Sequence, residues 1–184
     1  MRNLLAVLPA LVLGFQLAAQ TPEFNPADLD QIAEAEAKAN LGKITTPVLA
    51  PSGDFDVRYQ RMEWQIDPAV NYIRGAITTR FETKVAGFNA VYFDLMDALT
   101  VDSVRYHGVA AAFAHNSNVV TITLPSSLPA GTTDSLTVYY QGAPPNTGFG
   151  SFIQTNHAGT PIIWTLSEPY GARDWWPCKQ DLTD

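Results

Sequence analysis

Apolar residues recur at every second position through much of the chain, and this alternation constrains the fold more than any other feature of the sequence. The alternation is clearest from residue 73 to residue 85, where charged and hydroxyl-bearing residues fill the intervening positions. Successive side chains of a β-strand point to opposite faces, so the pattern predicts a strand with one buried face. The residues expected on that face are Ile73, Ile77, Thr79, Phe81 and Val85.

The segment before this strand also alternates, but its phase changes. Apolar residues from Phe55 to Tyr59 share one parity, and those from Met62 to Ile66 continue on the other. A slip of one residue would turn the second set to the opposite face of the sheet. We therefore expect either a β-bulge within one strand or a strand that ends and restarts.

Further strand-forming segments follow at short spacing, and turn-forming residues at 116–118 and 125–131 separate several of them. The predicted strands are Ala90 to Leu95, Leu99 to Tyr106, Val109 to His115, Val119 to Leu124, Ser135 to Tyr140, Ser151 to Thr155 and Pro161 to Leu166. Many short strands without helical periods between them favour antiparallel pairing. The sequence thus predicts an all-β domain, an antiparallel sandwich or a barrel-like sheet, over residues 54–184.

Composition narrows the class of partner. With 46% hydrophobic and 16% charged residues, the 184-residue chain resembles an ordinary globular protein with a buried core. Its formal net charge is −7, and its lysines and arginines form no cluster in the sequence. Nucleic-acid backbones are held by clustered cations, so we expect no nucleic-acid partner.

The first 53 residues are expected to lie outside this domain. Residues 1–19 combine an early arginine, an apolar run and two closing alanines, which is typical of a signal peptide. A transmembrane anchor needs about 20 apolar residues, and this run is shorter, so we expect an exported, periplasmic or extracellular protein without a stable membrane anchor. Residues 20–53 have a linker composition with four prolines, and Ala27 to Leu41 has the pattern of a short, loosely docked helix after the capping residue Asn25.

The sequence carries no zinc-hydrolase pattern of its own. Two histidines one helical turn apart, with a glutamate beside the first, are absent. His107, His115 and His157 fall on separate segments, so we expect neither a metal site nor a catalytic residue in this chain. The single cysteine, Cys178, makes no intramolecular disulfide and is either a buried small apolar residue or paired outside the chain.

The segment from Trp164 to Cys178 is the most specific motif in the sequence. It resembles the Thr-Gln-x-Glu-Pro-x-x-Ala-Arg-x-x-x-Pro-Cys stretch that closes the N-terminal domain of the aminopeptidase N type zinc metallopeptidases of peptidase family M1. The matching positions are Thr165, Glu168, Pro169, Ala172, Arg173, Pro177 and Cys178. The similarity extends over about Asp54 to Asp184.

The resemblance implies a saddle-like, antiparallel β domain beside a catalytic domain of the same polypeptide, with zinc held in that second domain. It implies that Glu168 binds the α-amino group of peptide N-termini, and that Leu166 stands where many relatives have a glutamine near the first substrate residue. An exopeptidase measures one residue from the chain end, and an anion at fixed reach serves that purpose. Alone, the 184-residue chain is expected to be inactive.

Three alternatives stay open at the level of sequence. Glu168 can instead form a structural salt bridge, for example with Arg173. The chain can be a free-standing secreted β-sandwich that binds a protein or a glycan through the aromatic residues from Trp164 to Trp176. It can also belong to a family member without peptidase activity. After Cys178, residues 179–182 differ from the shorter Cys-x-Asp-x-Pro run of the family, which alters the path of the chain toward a catalytic domain.

Overall fold

The computed structural model describes residues 52–145, 151–167 and 170–181, so the predicted signal peptide and the predicted helix within residues 27–41 lie outside the described residues. The strands are β1 (Phe55–Ile66), β2 (Ile73–Thr83), β3 (Phe88–Asp94), β4 (Leu99–Tyr106), β5 (Val109–Ala110), β6 (Ala112–Asn116), β7 (Val119–Leu128), β8 (Thr133–Gly142), β9 (Phe152–His157) and β10 (Thr160–Thr165). A single turn of 3-10 helix, Ala172–Asp174, follows them. Within these ranges, no helix has the length and apolar character needed to cross a bilayer.

The strands form three antiparallel sheets. The largest has the order β1-β2-β8-β4-β5, a second has the order β3-β7-β6, and β9 and β10 form a two-stranded hairpin. The prediction of an all-β antiparallel fold is confirmed.

The hydrophobic core is built from one face of the five-stranded sheet and from the three-stranded sheet. Strand β2 alternates buried and more exposed residues along its length, as its sequence pattern predicts. Fully buried members of the core include Phe55, Ile73, Ile77, Phe81, Val91, Val120 and Ile122. Val85 was predicted on this buried face, and that prediction is wrong, because β2 ends at Thr83 and Val85 is 38% exposed.

Strand β1 contains the bulge that its change of phase indicates. Its pairing with β2 shifts register between Val57 and Tyr59, and the strand continues to Ile66 without a break. The shift lets Phe55, before the bulge, and Trp64, after it, both pack into the core. Tyr59 falls beyond the shift and is 60% exposed, so its predicted place in the first apolar set is wrong.

Two other predicted boundaries differ from the structure. The strand predicted from Val109 to His115 is divided, because β5 pairs with β4 in the large sheet whereas β6 pairs with β7 in the three-stranded sheet. The strand predicted to end at Leu124 continues through Pro125. A proline cannot donate to the ladder, and Pro125 lies where the register between β3 and β7 is interrupted.

Candidate functional site

The candidate site is the closing segment, residues 164–178, which begins at the end of β10. The β9–β10 hairpin turns at Ala158 and Gly159, both with positive φ. Beyond the hairpin, Gly171 precedes the 3-10 helix, and the segment ends where Cys178 forms an isolated β-bridge with Asp94 at the end of β3. The segment therefore runs from the small hairpin back to the three-stranded sheet.

Glu168 and Pro169 lie outside the described residues, but the residues on both sides of them are bound to the domain. The amide of Leu166 donates to the carbonyl of Ser151 at 3.1 Å. The amide of Gly171 donates to the carbonyl of Ser167 at 2.9 Å. The indole Nε1 of Trp175 donates to the hydroxyl of Ser167 at 3.1 Å. Ser167, the residue before Glu168, is thus held through its main chain and its side chain.

Gly171 is required here by close packing. A Cβ at this position would lie 2.3 Å from Ser151 Oγ and 3.0 Å from the carbonyl oxygen of Leu166. Contacts this short force neighbouring atoms to move, and the Leu166 oxygen belongs to the backbone. A larger residue at 171 would therefore disturb the chain immediately before Glu168.

Trp175 anchors the segment in the core. It is only 8% exposed, and its ring centroid lies 4.9 Å from that of Trp64 and 5.7 Å from that of Phe152. The hydroxyl of Tyr140 donates to the carbonyl of Trp175 at 2.7 Å and accepts from Trp64 Nε1 at 2.9 Å. Burial raises the pKa of the Tyr140 hydroxyl, and the bond from Trp64 offsets part of that rise, so Tyr140 acts here as a neutral donor.

A buried carboxylate supports the same region. Asp174 is 3% exposed and accepts a hydrogen bond from Ser151 Oγ at 2.8 Å. Ser151 therefore contacts the segment three times: through its carbonyl to Leu166, through its hydroxyl to Asp174, and by its close approach to Gly171. Ser151 and Asp174 have no assigned role in the sequence interpretation, because they are 23 residues apart and only the fold brings them together.

Arg173 and Asp94 attract each other through their charges, but they form no direct ion pair. Burial raises the pKa of Asp94, while a hydrogen bond from the Gln180 amide and the charge of Arg173 lower it in part. Nε and Nη1 of Arg173 and Oδ1 of Asp94 are buried and have no hydrogen-bond partner among the described residues. The alternative that Arg173 pairs with Glu168 concerns a residue outside the described ranges and stays a hypothesis.

Cys178 is buried, at 4% exposure, as its apolar interpretation predicts. Two backbone hydrogen bonds join it to Asp94, with N to O distances of 2.8 and 3.1 Å. Burial, followed by the nearby charge of Asp94, raises the pKa of the thiol well above its usual value. A thiol in this state is a poor nucleophile.

The aromatic residues of the segment do not form one open surface. Trp175 is buried and Trp176 is half-buried, whereas Trp164 is 42% exposed. A binding surface along the stretch from Trp164 to Trp176 would therefore include only one exposed tryptophan among the described residues, Trp164.

Across the described ranges, no three side chains of histidine, cysteine, aspartate or glutamate are close enough to hold a metal ion. His107 contacts Asp134 at 2.6 Å, and His115 contacts the carbonyl of Leu95 at 3.0 Å. His157 ends β9. The described residues of the chain therefore do not fit a zinc ion.

Comparisons with known proteins identify the fold. No protein-family model and no curated protein sequence matches the chain. Among solved structures, a mutant of the M1 zinc metallopeptidase from Deinococcus radiodurans matches with a TM-score of 0.60 and 25% identity, over 70% of this chain and 29% of that one. Leukotriene A4 hydrolase from Saccharomyces cerevisiae matches with a TM-score of 0.59 and 19% identity, over 72% of this chain and 22% of that one.

The chain thus spans less than a third of the length of these structures. The matches give the chain the fold of an antiparallel β domain that occurs in zinc metallopeptidases. More specifically, it has the fold of the N-terminal domain of the M1 zinc metallopeptidases, and the resemblance drawn from the closing segment is confirmed.

Proposed function

We propose that this chain is the N-terminal, substrate-anchoring domain of an exported zinc aminopeptidase. In this role Glu168 holds the α-amino group of a peptide, and Leu166 lies beside the first substrate residue. The observation that carries the proposal is how the residues around Glu168 are held: Leu166 is bonded to Ser151, Ser167 is bonded to the core residue Trp175, and the amide of Gly171, on the other side of Glu168, is bonded to the carbonyl of Ser167. A carboxylate can bind the peptide N-terminus at a fixed distance from the reacting bond only if neighbouring residues hold it in place.

The chemistry follows from the charge of the substrate. A free peptide N-terminus is an ammonium group, and a carboxylate binds it through charge-assisted hydrogen bonds. A bond of this kind contributes about 1.5 to 3 kcal/mol, which corresponds to a preference of about ten- to a hundredfold over a blocked N-terminus. Pro169 favours an extended backbone at the residue before it, which suits a side chain that reaches away from the domain.

Hydrolysis itself is assigned to a catalytic domain of the same polypeptide. There a bound zinc ion would supply an activated water molecule. Two neighbours in fold support this arrangement by their own descriptions. One is a two-domain M1 zinc metallopeptidase bound to L-tryptophan, and the other is an M1 zinc metallopeptidase mutant from Deinococcus radiodurans bound to a Tyr-Ser-Ala substrate. This chain contributes the binding of the amine and leaves the reacting bond to the second domain.

The test uses the complete polypeptide with Glu168→Gln and Glu168→Ala. Leucine p-nitroanilide and its N-acetylated form are compared as substrates. We expect both variants to lose about ten- to a hundredfold of kcat/KM on the free amine and to lose the preference for it. Glu82→Gln, which removes a half-buried carboxylate on β2 that pairs with Arg58 at 3.0 Å, serves as the matched control. Unchanged turnover and unchanged preference in both Glu168 variants would refute the assignment.

Export is tested separately. We expect the protein to be recovered outside the cytoplasm, with a mature N-terminus just after Ala19. N-terminal sequencing of the secreted protein, or of the periplasmic fraction, measures this directly. Recovery of a chain that still begins at Met1 would contradict the proposal of a cleaved signal peptide.

A further inference from the structure

The outer face of the five-stranded sheet, opposite the core, contains an open cavity of about 670 Å³. Side chains of Glu63, Arg74, Asp102, Tyr139 and Gln141 surround it, and we call it the outer cup. Its size lies within the range of about 300 to 1,000 Å³ that is usual for small-molecule sites. None of the described residues of the closing segment lines it.

The outer cup exists because residues with small side chains lie between residues with long side chains on this face of the sheet. Tyr139 is paired with Ala76 on one neighbouring strand and with Ser103 on the other. Neither partner has a side chain large enough to cover the tyrosine ring, and Tyr139 is 41% exposed. An aromatic ring is therefore presented to solvent at the middle of the sheet, with long polar side chains around it.

The polar wall of the outer cup is held in one arrangement. The amide oxygen of Gln141 accepts from the hydroxyl of Tyr72 at 2.9 Å and from Nε of Arg74 at 3.1 Å. The amide nitrogen of Gln141 donates to Oδ1 of Asp102 at 2.8 Å. This chain of hydrogen bonds fixes the orientation of the amide and lowers the entropy lost when a ligand binds. The network uses Oδ1 of Asp102 and Nε of Arg74.

The charges of the outer cup cancel when Arg61 is counted, which pairs with Glu63 but does not itself line the cup. Asp102 and Arg74 are joined through Gln141, and Glu63 pairs with Arg61 at 2.7 Å. An anion or a cation would meet as many like charges as opposite ones. Apolar groups, among them the Tyr139 ring and the Ala76 methyl group, alternate with polar groups in the lining of the cup, so a wholly apolar ligand would leave polar groups without a partner. The ligand that fits is neutral and rich in hydrogen-bonding groups, with one flat apolar face.

A pyranose ring has these properties, because its hydroxyl groups project from the rim and its axial C–H groups form an apolar face. We propose that the outer cup binds a neutral saccharide, with the C–H face of one sugar against Tyr139 and the hydroxyl groups bonded to Asp102, Arg74 and Gln141. Aromatic side chains contribute packing area at low entropic cost, which suits them to this contact. The proposal is independent of the role of Glu168.

The test is a titration of the full chain with three probes: cellohexaose, maltoheptaose and chitohexaose. Binding is followed by calorimetry and by amide chemical shifts, with the largest shifts expected on β2, β4 and β8. Tyr139→Leu should weaken binding of the preferred probe by at least about tenfold, and Tyr139→Phe should preserve it, since the ring rather than the hydroxyl makes the contact. Gln141→Ala should weaken binding as well, because it releases the polar wall.

Arg105→Ala is the matched control, since Arg105 is exposed on the same face but does not line the cup. Circular dichroism establishes that each variant is folded, and if Tyr139→Leu is not, Asp102→Asn replaces it. Failure of all three probes to bind would overturn the proposal, as would binding that Tyr139→Leu and Gln141→Ala leave unchanged. Binding of a heparin oligosaccharide in place of the neutral probes would also overturn it, because it would assign the face to anions.

Discussion

The ring of Tyr140 occupies the space that a Cβ atom of residue 75 would need. A Cβ built on Gly75 would lie 2.3 Å from Cε1 of Tyr140, on the neighbouring strand of the large sheet. Glycine at position 75 allows the ring to lie flat across β2, so that its hydroxyl reaches Trp64 on one side and the carbonyl of Trp175 on the other. The lack of a side chain at Gly75 therefore allows Tyr140 to bind the backbone of Trp175, the residue that anchors the closing segment.

Gly75→Ala should therefore destabilise the domain. The methyl group must displace the Tyr140 ring, and overpacking of this kind costs about 1 to 3 kcal/mol. The free energy of unfolding, measured by urea denaturation, should fall by this amount. Gly53→Ala is the matched control, because apart from its chain neighbours no atom of the described residues lies within 4 Å of the position its Cβ would take. Equal stability of the two variants would show that Tyr140 moves without cost.

Trp175→Phe should separate hydrogen bonding from packing. Phenylalanine retains an aromatic ring against Trp64 but removes the donor to Ser167. We expect a loss of about 1 to 3 kcal/mol in the free energy of unfolding, from the lost hydrogen bond and the smaller ring. In the complete polypeptide, KM for a free-amine substrate should rise more than kcat falls. Trp164→Phe, at an exposed position, should change neither quantity.

Asp134 should contribute to the acid stability of the domain. Burial tends to raise the pKa of this carboxyl, but hydrogen bonds from Tyr106, His107 and the Ser135 amide outweigh burial and lower it. Since the pKa is lower in the folded state, the stabilisation is present above the unfolded pKa of about 3.9 and is lost as the pH falls through the folded value. Asp134→Asn should flatten the fall in melting temperature below about pH 4. Asp54→Asn, at an exposed site, should leave that slope unchanged.

At the other end of the pH scale, Tyr106 should limit alkaline stability. Burial, and then the hydrogen bond to Asp134 and the charge of Asp134, raise the pKa of Tyr106 to about 12. Its neutral form is favoured in the folded state, so this stabilisation is complete below the unfolded pKa of about 10 and declines as the pH rises toward 12. Tyr106→Phe should reduce the decline without abolishing it, because burial also raises the pKa of Tyr140. Unfolding followed by tryptophan fluorescence between pH 9 and 12 measures the difference.

Cys178 should be unreactive in the folded protein. Its thiol is buried and its pKa is raised, so little thiolate is available and reagents do not reach it. We expect slow labelling by Ellman's reagent in buffer and rapid labelling of one thiol in denaturant. Fast labelling under native conditions would show that the bridge between Asp94 and Cys178 opens readily.

The parts of the fold that the sequence predicts are those set by local alternation. Strand β2 and the bulge of β1 follow from the spacing of apolar residues, which depends only on neighbours along the chain. The division at Ala111 was not predictable in the same way, because it depends on which of two sheets offers a partner to each half. Pro125 continues a strand because an irregular register on β3 accepts it, and that register is not encoded nearby.

The candidate site likewise has a part that the local sequence predicts and a part that depends on distant residues. The sequence resemblance of the closing segment predicts where the candidate site lies, and the fold confirms the kind of domain to which the segment belongs. Its supports, Ser151 and Tyr140, come from distant parts of the chain and have no signature near Glu168. The proposed role of Glu168 itself stays a prediction until substrate preference is measured.

The bridge between Asp94 and Cys178 also has a mechanical meaning. A force applied to the chain beyond Asp181 would act first on the two backbone hydrogen bonds of this bridge and on the hydrogen bond from Lys179 Nζ to the carbonyl of Phe55, which is 2.6 Å long. Only after these bonds broke would the force act on the 3-10 helix. The core would thus take up strain that arrives from the C-terminal side. A force from that side would leave the distance from Ser167 to Trp175, and so the positions of the described residues on either side of Glu168, largely unaltered.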